Sequence, residues 1–393
     1  MLESIRRFGV ILVAATATFV AGSAGAQCGI GDVNDDGTVD SADLALVLGA
    51  WGSSVAVADL NSDDVVDAAD LSLLLGNWGP IAVSVGSFPD EWISGGPNCV
   101  NEPQIQVHQY DENTYILRQS LCTNFEAPFV YLLFGDTKVL MEDTGASNVP
   151  FYNTVKSIID AWLVAHRQSS IQLIVSHSHA HGDHAFNDSQ FVGKPNTTVV
   201  GTSLTAVKNF FGIVNWPTQI VNYDLGGRVV QIIPIPGHHT AHIAIYDART
   251  GWLLTGDTLY PGRLYISSWA SYKASIQRMV DFTADKQVCW VMGTHIEMTK
   301  TPGVDYAMGV TSHPNEHGLQ LTREHLIELN DACIAMGAAP VYQVHDDFII
   351  FPLSLAMGGR LQDAPSDAAN AEVCCMRPTN VFEYRRARVG DAR

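Results

Sequence analysis

Four side chains of the kinds that bind transition metals crowd into six consecutive positions: His179, His181, Asp183 and His184. A lone histidine is usually a satisfied core or surface residue, but this density of imidazole and carboxylate is that of a metal centre. The run follows Ile171 to Val175, which read as a buried strand, and a strand end delivers side chains to one edge of a sheet. There His179 and His181, two apart, can face one metal, while Asp183 and His184 on the loop that follows can reach a second. Upstream, Val130 to Leu133 and Val139 to Met141 are strand-like runs around a turn at Gly135 to Lys138. Asn153 to Gln168 is expected as a helix with Val155, Ile158, Ile159, Trp162 and Leu163 on one face. The elements that must position the histidines are therefore short strands and helices in alternation.

A second constellation lies nearer the N-terminus, where two segments repeat at a spacing of 27 residues. Asp32, Asn34, Asp36, Asp40 and Asp43 stand at positions 1, 3, 5, 9 and 12 of the first loop, and Asp59, Asn61, Asp63, Asp67 and Asp70 at the same positions of the second. That is the oxygen-ligand spacing of an EF-hand loop, suited to Ca²⁺. Apolar residues then recur at helical spacing, Leu44, Val47, Leu48 and Trp51 after one loop, Leu71, Leu74, Leu75 and Trp78 after the other. The repeat resembles the dockerin module of secreted enzymes, which implies bound calcium and a cohesin-like protein partner. It departs from the full EF-hand at position 6 of the second loop, Asp64 where Gly makes the turn, and at position 12, where Asp replaces Glu.

The arrangement His-x-His-x-Asp-His over residues 179–184 is similar to the signature of the metallo-β-lactamase superfamily. Further motifs of that family follow in order: Pro236-Gly237-His238, Thr255-Gly256-Asp257-Thr258 and Gly293-Thr294-His295, with Asp143-Thr144-Gly145 upstream. The resemblance spans roughly residues 105–300 and implies an α/β fold, the αββα sandwich, with metals at one edge of its two sheets. It implies one site from His179, His181 and His238, a second from Asp183, His184 and His295, and Asp257 bridging both. Seven nitrogen and oxygen ligands without cysteine suit two Zn²⁺ and leave iron or manganese open. A carboxylate at the bridge resembles the glyoxalase II and lactonase side of the superfamily. Asp183 is then expected to orient the nucleophile. Tyr260, where lactonases of the superfamily place a tyrosine, is expected to donate to the developing oxyanion or to be a packing aromatic. His239 and His242 resemble the histidine-rich run of lactonases and are expected outside the ligand set, as is His177.

Composition narrows the surroundings. Residues 1–26 read as a signal peptide, with Arg6 and Arg7, an apolar run from Phe8 to Val20, and Ala24-Gly25-Ala26 before the cut. The run falls short of the roughly 20 residues of a spanning helix, so no membrane anchor is expected, and the mature chain is expected to be secreted, periplasmic or on the cell surface. Cys28 follows Gln27, which argues against a lipoprotein. The net charge of −19 disfavours nucleic acid as a partner. Residues 27–80 carry ten Asp and no Lys, Arg or Glu, as cation-binding loops would. Seven cysteines leave at least one free or paired between chains, with pairing unreadable from spacing.

The expected organisation is a calcium module over 27–79, a Pro- and Gly-rich linker over 80–104, a catalytic domain over 105–363 and a polar tail over 364–393. Leu321 to Met336 is expected as a helix and Val341 to Phe351 as a strand pair. His313, Glu316 and His317 are expected on a loop near the mouth of the site rather than as a third metal cluster. The function these features favour is cleavage of an ester, thioester or lactone in a small molecule. A β-lactam amidase or phosphodiesterase uses the same ions, and a catalytically silent, dockerin-bearing scaffold is a third reading. Retaining clustered imidazoles and carboxylates without a metal is costly, which argues against silence.

Overall fold

The computed structural model describes residues 31–34, 38–61, 63–80, 83 and 86–353. The expected signal peptide, Cys28, Asp36, Cys374, Cys375 and the tail lie outside the described residues.

The N-terminal module opens with strand β1 (Thr38–Val39), followed by helices α1 (Ser41–Gly49) and α2 (Ala68–Gly76) and strand β2 (Gly79–Pro80), which pairs with β1. Each helix starts on a loop aspartate. Asp40 caps α1 and Asp67 caps α2, and the carboxylates of Asp43 and Asp70 reach back to the cap N–H groups, forming a capping box in each. Only Val39, Val47, Ala58, Val66 and Leu74 form the module's core among the described residues. Of the expected helix faces, Val47 and Leu74 are buried, whereas Leu48, Trp51, Leu75 and Trp78 stay about half exposed, because so small a unit has nothing to cover its outer side.

The first large sheet runs in chain order through β3 (Ile105–Asp111), β4 (Thr114–Gln119), β5 (Phe129–Phe134), β6 (Lys138–Glu142), β7 (Gln172–Ser176) and β8 (Thr197–Val199). Helix α3 (Phe151–Ala165) makes the parallel crossover from β6 to β7. The short helices α4 (Gly182–Ala185) and α5 (Asp188–Phe191) precede β8, and α6 (Leu204–Phe211) follows it. Next come β9 (Val221–Asp224), β10 (Val229–Pro234), β11 (Ile243–Asp247), β12 (Trp252–Gly256), β13 (Arg263–Ile266), α7 (Trp269–Thr283) and β14 (Trp290–Gly293). Last are β15 (Gln320–Leu321), α8 (Arg323–Met336), β16 (Gln343–Val344) and β17 (Ile349–Pro352). The second large sheet has the order β15-β14-β12-β11-β10-β9, and β13, β17 and β16 form a small third sheet.

Period-2 alternation shows why the two large sheets stack. All six residues of β5 are buried: Phe129, Tyr131 and Leu133 face the second sheet, while Val130, Leu132 and Phe134 face α3. In β11, Ile243 and Ile245 face the first sheet, and Ala244 and Tyr246 face the outer layer with Tyr272 and Ile276 of α7 and Leu326 and Leu329 of α8. Helix, sheet, sheet, helix is the layer order, the expected αββα sandwich. The two sheets are tied by Arg228, buried with Asp247, which donates to the carbonyls of Asn113 at 2.7 Å and Phe134 at 3.1 Å across the interface.

Residues 86–104, within the expected linker, pack against the sheets that follow. Phe88 stacks among Tyr110, Trp252 and Trp290, Trp92 meets Phe129 edge-on at 5.0 Å, and Cys99 is disulfide-bonded to Cys122. The Pro and Gly content marks turns, but the aromatic side chains between them have apolar surface to bury. Cys289 is also disulfide-bonded, and Cys333 is free and buried. No helix of the described residues is long and apolar enough to cross a membrane.

Candidate metal centre

The C-terminal ends of β6, β7, β10, β12 and β14 all point to one edge of the sandwich, since β6 and β7 are parallel, β12 and β14 are parallel, and β10 is two antiparallel steps from β12. Each releases a ligand-bearing loop there. Asp143 follows β6, His177 to His184 follow β7, His238 follows β10, Asp257 follows β12 and His295 follows β14. Close approach of these loops requires bare backbone at Gly256, where φ is +51° and an added Cβ would lie 2.5 Å from His242 Nε2 and 2.7 Å from Ser178 Cβ.

Two groups of ligand atoms converge, His179, His181, His238 and Asp257 in one, Asp183, His184, His295 and Asp257 in the other. In the first, His179 Nε2 lies 2.8 Å from His181 Nδ1, and His238 Nε2 lies 3.1 Å from His179 Nε2 and 3.0 Å from His181 Nδ1. Asp257 turns Oδ2 toward this group, 3.5 Å from His238 Nε2, and Oδ1 toward the other, 3.4 Å from His184 Nε2 and 3.3 Å from His295 Nε2. Asp183 Oδ2 completes the second group, 3.1 Å from His184 Nε2 and 3.3 Å from His295 Nε2.

The outward ring nitrogens explain why the inward ones suit a cation. His238 Nδ1 lies 2.7 Å from the Tyr265 carbonyl and His295 Nδ1 2.8 Å from the Glu126 carbonyl. A carbonyl only accepts, so in both rings Nδ1 carries a proton and Nε2 is the nitrogen that faces the cluster, a lone pair whenever the ring is neutral. His184 Nδ1 is held in the same way, 2.8 Å from Asp143 Oδ2, and its buried Nε2 makes no hydrogen bond. Converging lone pairs at about 3 Å repel one another unless a cation sits among them, so the donor set fits a nitrogen- and oxygen-ligated metal pair.

Electrostatics divides the two groups. Burial, then neighbouring imidazoles, holds His179 well below the ordinary histidine value, and His181 is pushed down to about 3 by burial and His238. Burial lowers His238 as well. At His184 and His295 burial works in the same direction, but the carboxylates of Asp183 and Asp257 outweigh it and raise both. Those two carboxylates are held low, burial being overcome chiefly by His184. The first group is a nest of neutral imidazoles, and the second is a place that favours positive charge.

Around this centre the sequence expectations fare unevenly. Asp143 is completely buried and holds the histidine loop, accepting from Ser178 N and from the Ser178 hydroxyl, each at 2.8 Å, besides His184. Its φ of +71° places an aspartate in the left-handed region. His242 lies flat against His179 at 4.7 Å and His239 is half-buried, neither in the ligand groups. His177 bonds Asp188 at 2.8 Å, a structural role.

Tyr260 lines the cavity, and its hydroxyl donates to the Arg263 carbonyl, with Glu297 Oε2 3.3 Å away. The run expected as a loop at the mouth divides between two ion-pair groups in a separate cleft beside Trp92. Glu316 pairs bidentately with buried Arg118 and takes His313 at 2.9 Å, while His317 pairs with Asp347 at 2.8 Å. Sequence reasoning also missed Tyr265 and Glu126, whose backbone carbonyls leave no side-chain signal, and Glu297, two residues beyond a ligand.

Comparison with known proteins agrees with this architecture. Residues 123–289 match the metallo-beta-lactamase superfamily model and residues 30–76 the dockerin type I domain model. The chain thus has one stretch that matches the metallo-β-lactamase superfamily behind one that matches a dockerin domain. Among curated relatives, it is 32% identical over 116 residues to the hydroxyacylglutathione hydrolases of Yersinia enterocolitica serotype O:8 and of Yersinia pestis strain Pestoides F. Each match covers 28% of this chain and 44% of the relative, so it spans less than half of the relatives' own length. A metallo-beta-lactamase from Pontibacter korlensis aligns over 59% of this chain and 99% of its own at 15% identity, with a TM-score of 0.40.

Proposed function

We propose that the chain is a metal-dependent hydrolase that uses two divalent ions, zinc foremost, to cleave an ester, thioester or lactone. The observation that carries this is Asp257, whose two oxygens face the two ligand groups separately. The superfamily domain and the hydroxyacylglutathione hydrolase relatives support hydrolysis and favour a thioester within that class. Two divalent cations held there supply Lewis acidity toward a carbonyl and lower the pKa of water. His179, His181 and His238 would hold one ion, Asp183, His184 and His295 the other, and Asp257 would reach both. Asp183 turns Oδ2 to the second group, so its Oδ1 accepts a hydrogen bond from the attacking water and orients it. Asp143, Tyr265 and Glu126 lock the ring orientations from outside.

Elemental analysis of the purified chain is expected to give about two transition-metal ions per catalytic domain. The same preparation is expected to cleave members of a thioester, ester and lactone panel faster than β-lactams or phosphodiesters. A chain that neither contains nor takes up zinc overturns the hydrolase; one that is loaded and cleaves only phosphodiesters overturns the substrate class.

For the N-terminal module we infer two Ca²⁺ loops, export from the cell and a cohesin-like partner. The position-12 carboxylates are already in place: Asp43 Oδ1 accepts from Val33 N at 2.7 Å, Asp70 Oδ1 from Leu60 N at 2.6 Å, and both are buried. At position 6 of the second loop Asp64 adopts φ +68°, the turn that glycine makes elsewhere, so the departure there keeps the loop shape. With five buried apolar residues among those described to hold it, the module is expected to draw much of its folding free energy from calcium. Excess chelator should abolish its helical dichroism while zinc-reconstituted hydrolysis persists. Unchanged spectra with and without calcium would show that the loops are acidic turns only.

A further inference from the structure

Two residues past His295 the chain sets a carboxylate into the cavity of the metal centre: Glu297, beside Glu126, Tyr260 and Tyr265. It is held from several sides. Its N–H donates to the Pro261 carbonyl at 2.7 Å and its own carbonyl accepts from Tyr306 N at 2.8 Å. Oε2 accepts from Arg263 N at 2.7 Å and lies 3.3 Å from the Tyr260 hydroxyl, while Oε1 is 3.6 Å from the Arg263 guanidinium. The turn beneath is bare by necessity, for a Cβ on Gly262 would lie 2.3 Å from the Tyr260 ring and 2.8 Å from Glu297 Oε2. Arg263 does not cancel the charge, because it also pairs with Asp305 at 2.7 Å and so faces two carboxylates with one guanidinium. Glu297 belongs to neither ligand group and lies beyond the stretch matched by the family model, which ends at residue 289.

We propose that Glu297 sorts substrates by charge, receiving a neutral hydrogen-bond donor or an ammonium group beside the scissile bond and turning away carboxylates and phosphates. This rests on the hydrolase proposed above and narrows its substrate class. Oε2 accepts from the Arg263 N–H, while Oε1, 3.6 Å from the Arg263 guanidinium, keeps lone pairs that only a group bringing a proton satisfies. An anion placed there meets like charge at close range in a poorly solvated cavity, which disfavours it far more than it would in water. Among the described residues lining the cavity none is Lys or Arg, so beside bound metal ions no side chain of the lining offers a positive charge to an anionic arm. The net charge of −19 adds a long-range field of the same sign.

The test uses the full chain loaded with zinc and three matched hydroxamates, whose side arms end in trimethylammonium, tert-butyl or carboxylate. Calorimetry reads binding without requiring turnover. The parent is expected to bind the ammonium probe about 10- to 100-fold more tightly than the carboxylate probe. Glu297→Gln should narrow that ratio to about 3-fold or less with zinc content unchanged, and Glu297→Lys should reverse the order. Equal affinity of the parent for the two charged probes, or a ratio that survives Glu297→Gln, overturns the proposal. The matching esters, assayed alongside, keep the two ideas apart: probes that discriminate while no ester is cleaved leave the charge selection standing and remove the hydrolase.

Discussion

Asp257→Ala is expected to lower bound zinc from about two ions per chain to one or none and to remove hydrolysis altogether. Each oxygen of this carboxylate serves a different ligand group, so one substitution weakens both sites at once. Its loss also takes away one of the negative charges that hold His184 and His295 above their ordinary pKa, Asp183 remaining beside both and Asp143 beside His184. The effect should therefore exceed the roughly 10- to 100-fold cost of losing a residue that merely orients a ligand. The fold should survive, because Asp257 lies just past β12 and contributes nothing to the apolar faces of Trp252, Leu253 and Leu254. The measurement is metal content and kcat/KM beside far-ultraviolet dichroism. A folded variant with two ions and parental turnover would show that Asp257 bridges nothing.

The parts of this site that were legible in the sequence are those in which ligand and strand end are adjacent in the chain. His179 to His184 follow β7 directly, so a short run announced both the metal and the sheet edge. The alternation in β5 and the helical periodicity of α3 announced the layers in the same local way. What stayed hidden depends on contacts between distant segments or on the direction of a single bond. Tyr260 stands where a tyrosine would meet a substrate, yet the carbonyl three residues on takes its proton. Nothing in residues 257–263 states that direction. Glu316, expected with His313 and His317 on a loop at the mouth, pairs instead with Arg118, which lies 198 residues away on β4 and leaves no local signal. Residues 86–104 looked like a linker because turn-forming residues outnumber the aromatics that dock it, although the surfaces receiving Phe88 and Trp92 are built from β3, β5, β12 and β14.

The position of the metal edge also depends on how the two sheets are held, and Arg228→Met is expected to reveal that. The guanidinium donates through Nη2 to Asp247 Oδ2 at 2.6 Å and to the Thr114 hydroxyl at 3.0 Å, through Nε to Asp247 Oδ1 at 3.1 Å, and through Nη1 to the carbonyls of Asn113 and Phe134. Both partners of the pair are almost completely buried, at 2% and 0% side-chain exposure. Removing the arginine leaves a buried carboxylate and unpaired carbonyls, a loss of about 3 to 5 kcal/mol. At about 2 to 4 °C per kcal/mol for a domain of this size, Tm should fall by roughly 10 °C. The pH dependence gives a second readout with a definite sign. Burial works to raise the Asp247 pKa, and Arg228 outweighs it and holds the group below the ordinary carboxylate value. The pair's contribution is therefore complete above the unfolded pKa and is lost as pH falls toward the folded one. Without Arg228 burial acts unopposed by that charge, the folded pKa rises, and the variant gains stability as pH falls through the carboxylate range. The gap in Tm between parent and variant should thus narrow in acid, and Arg228→Met combined with Asp247→Leu should recover part of the loss at neutral pH. A variant that melts within about 2 °C of the parent at pH 7 would show that the sheets are held by their apolar interface alone.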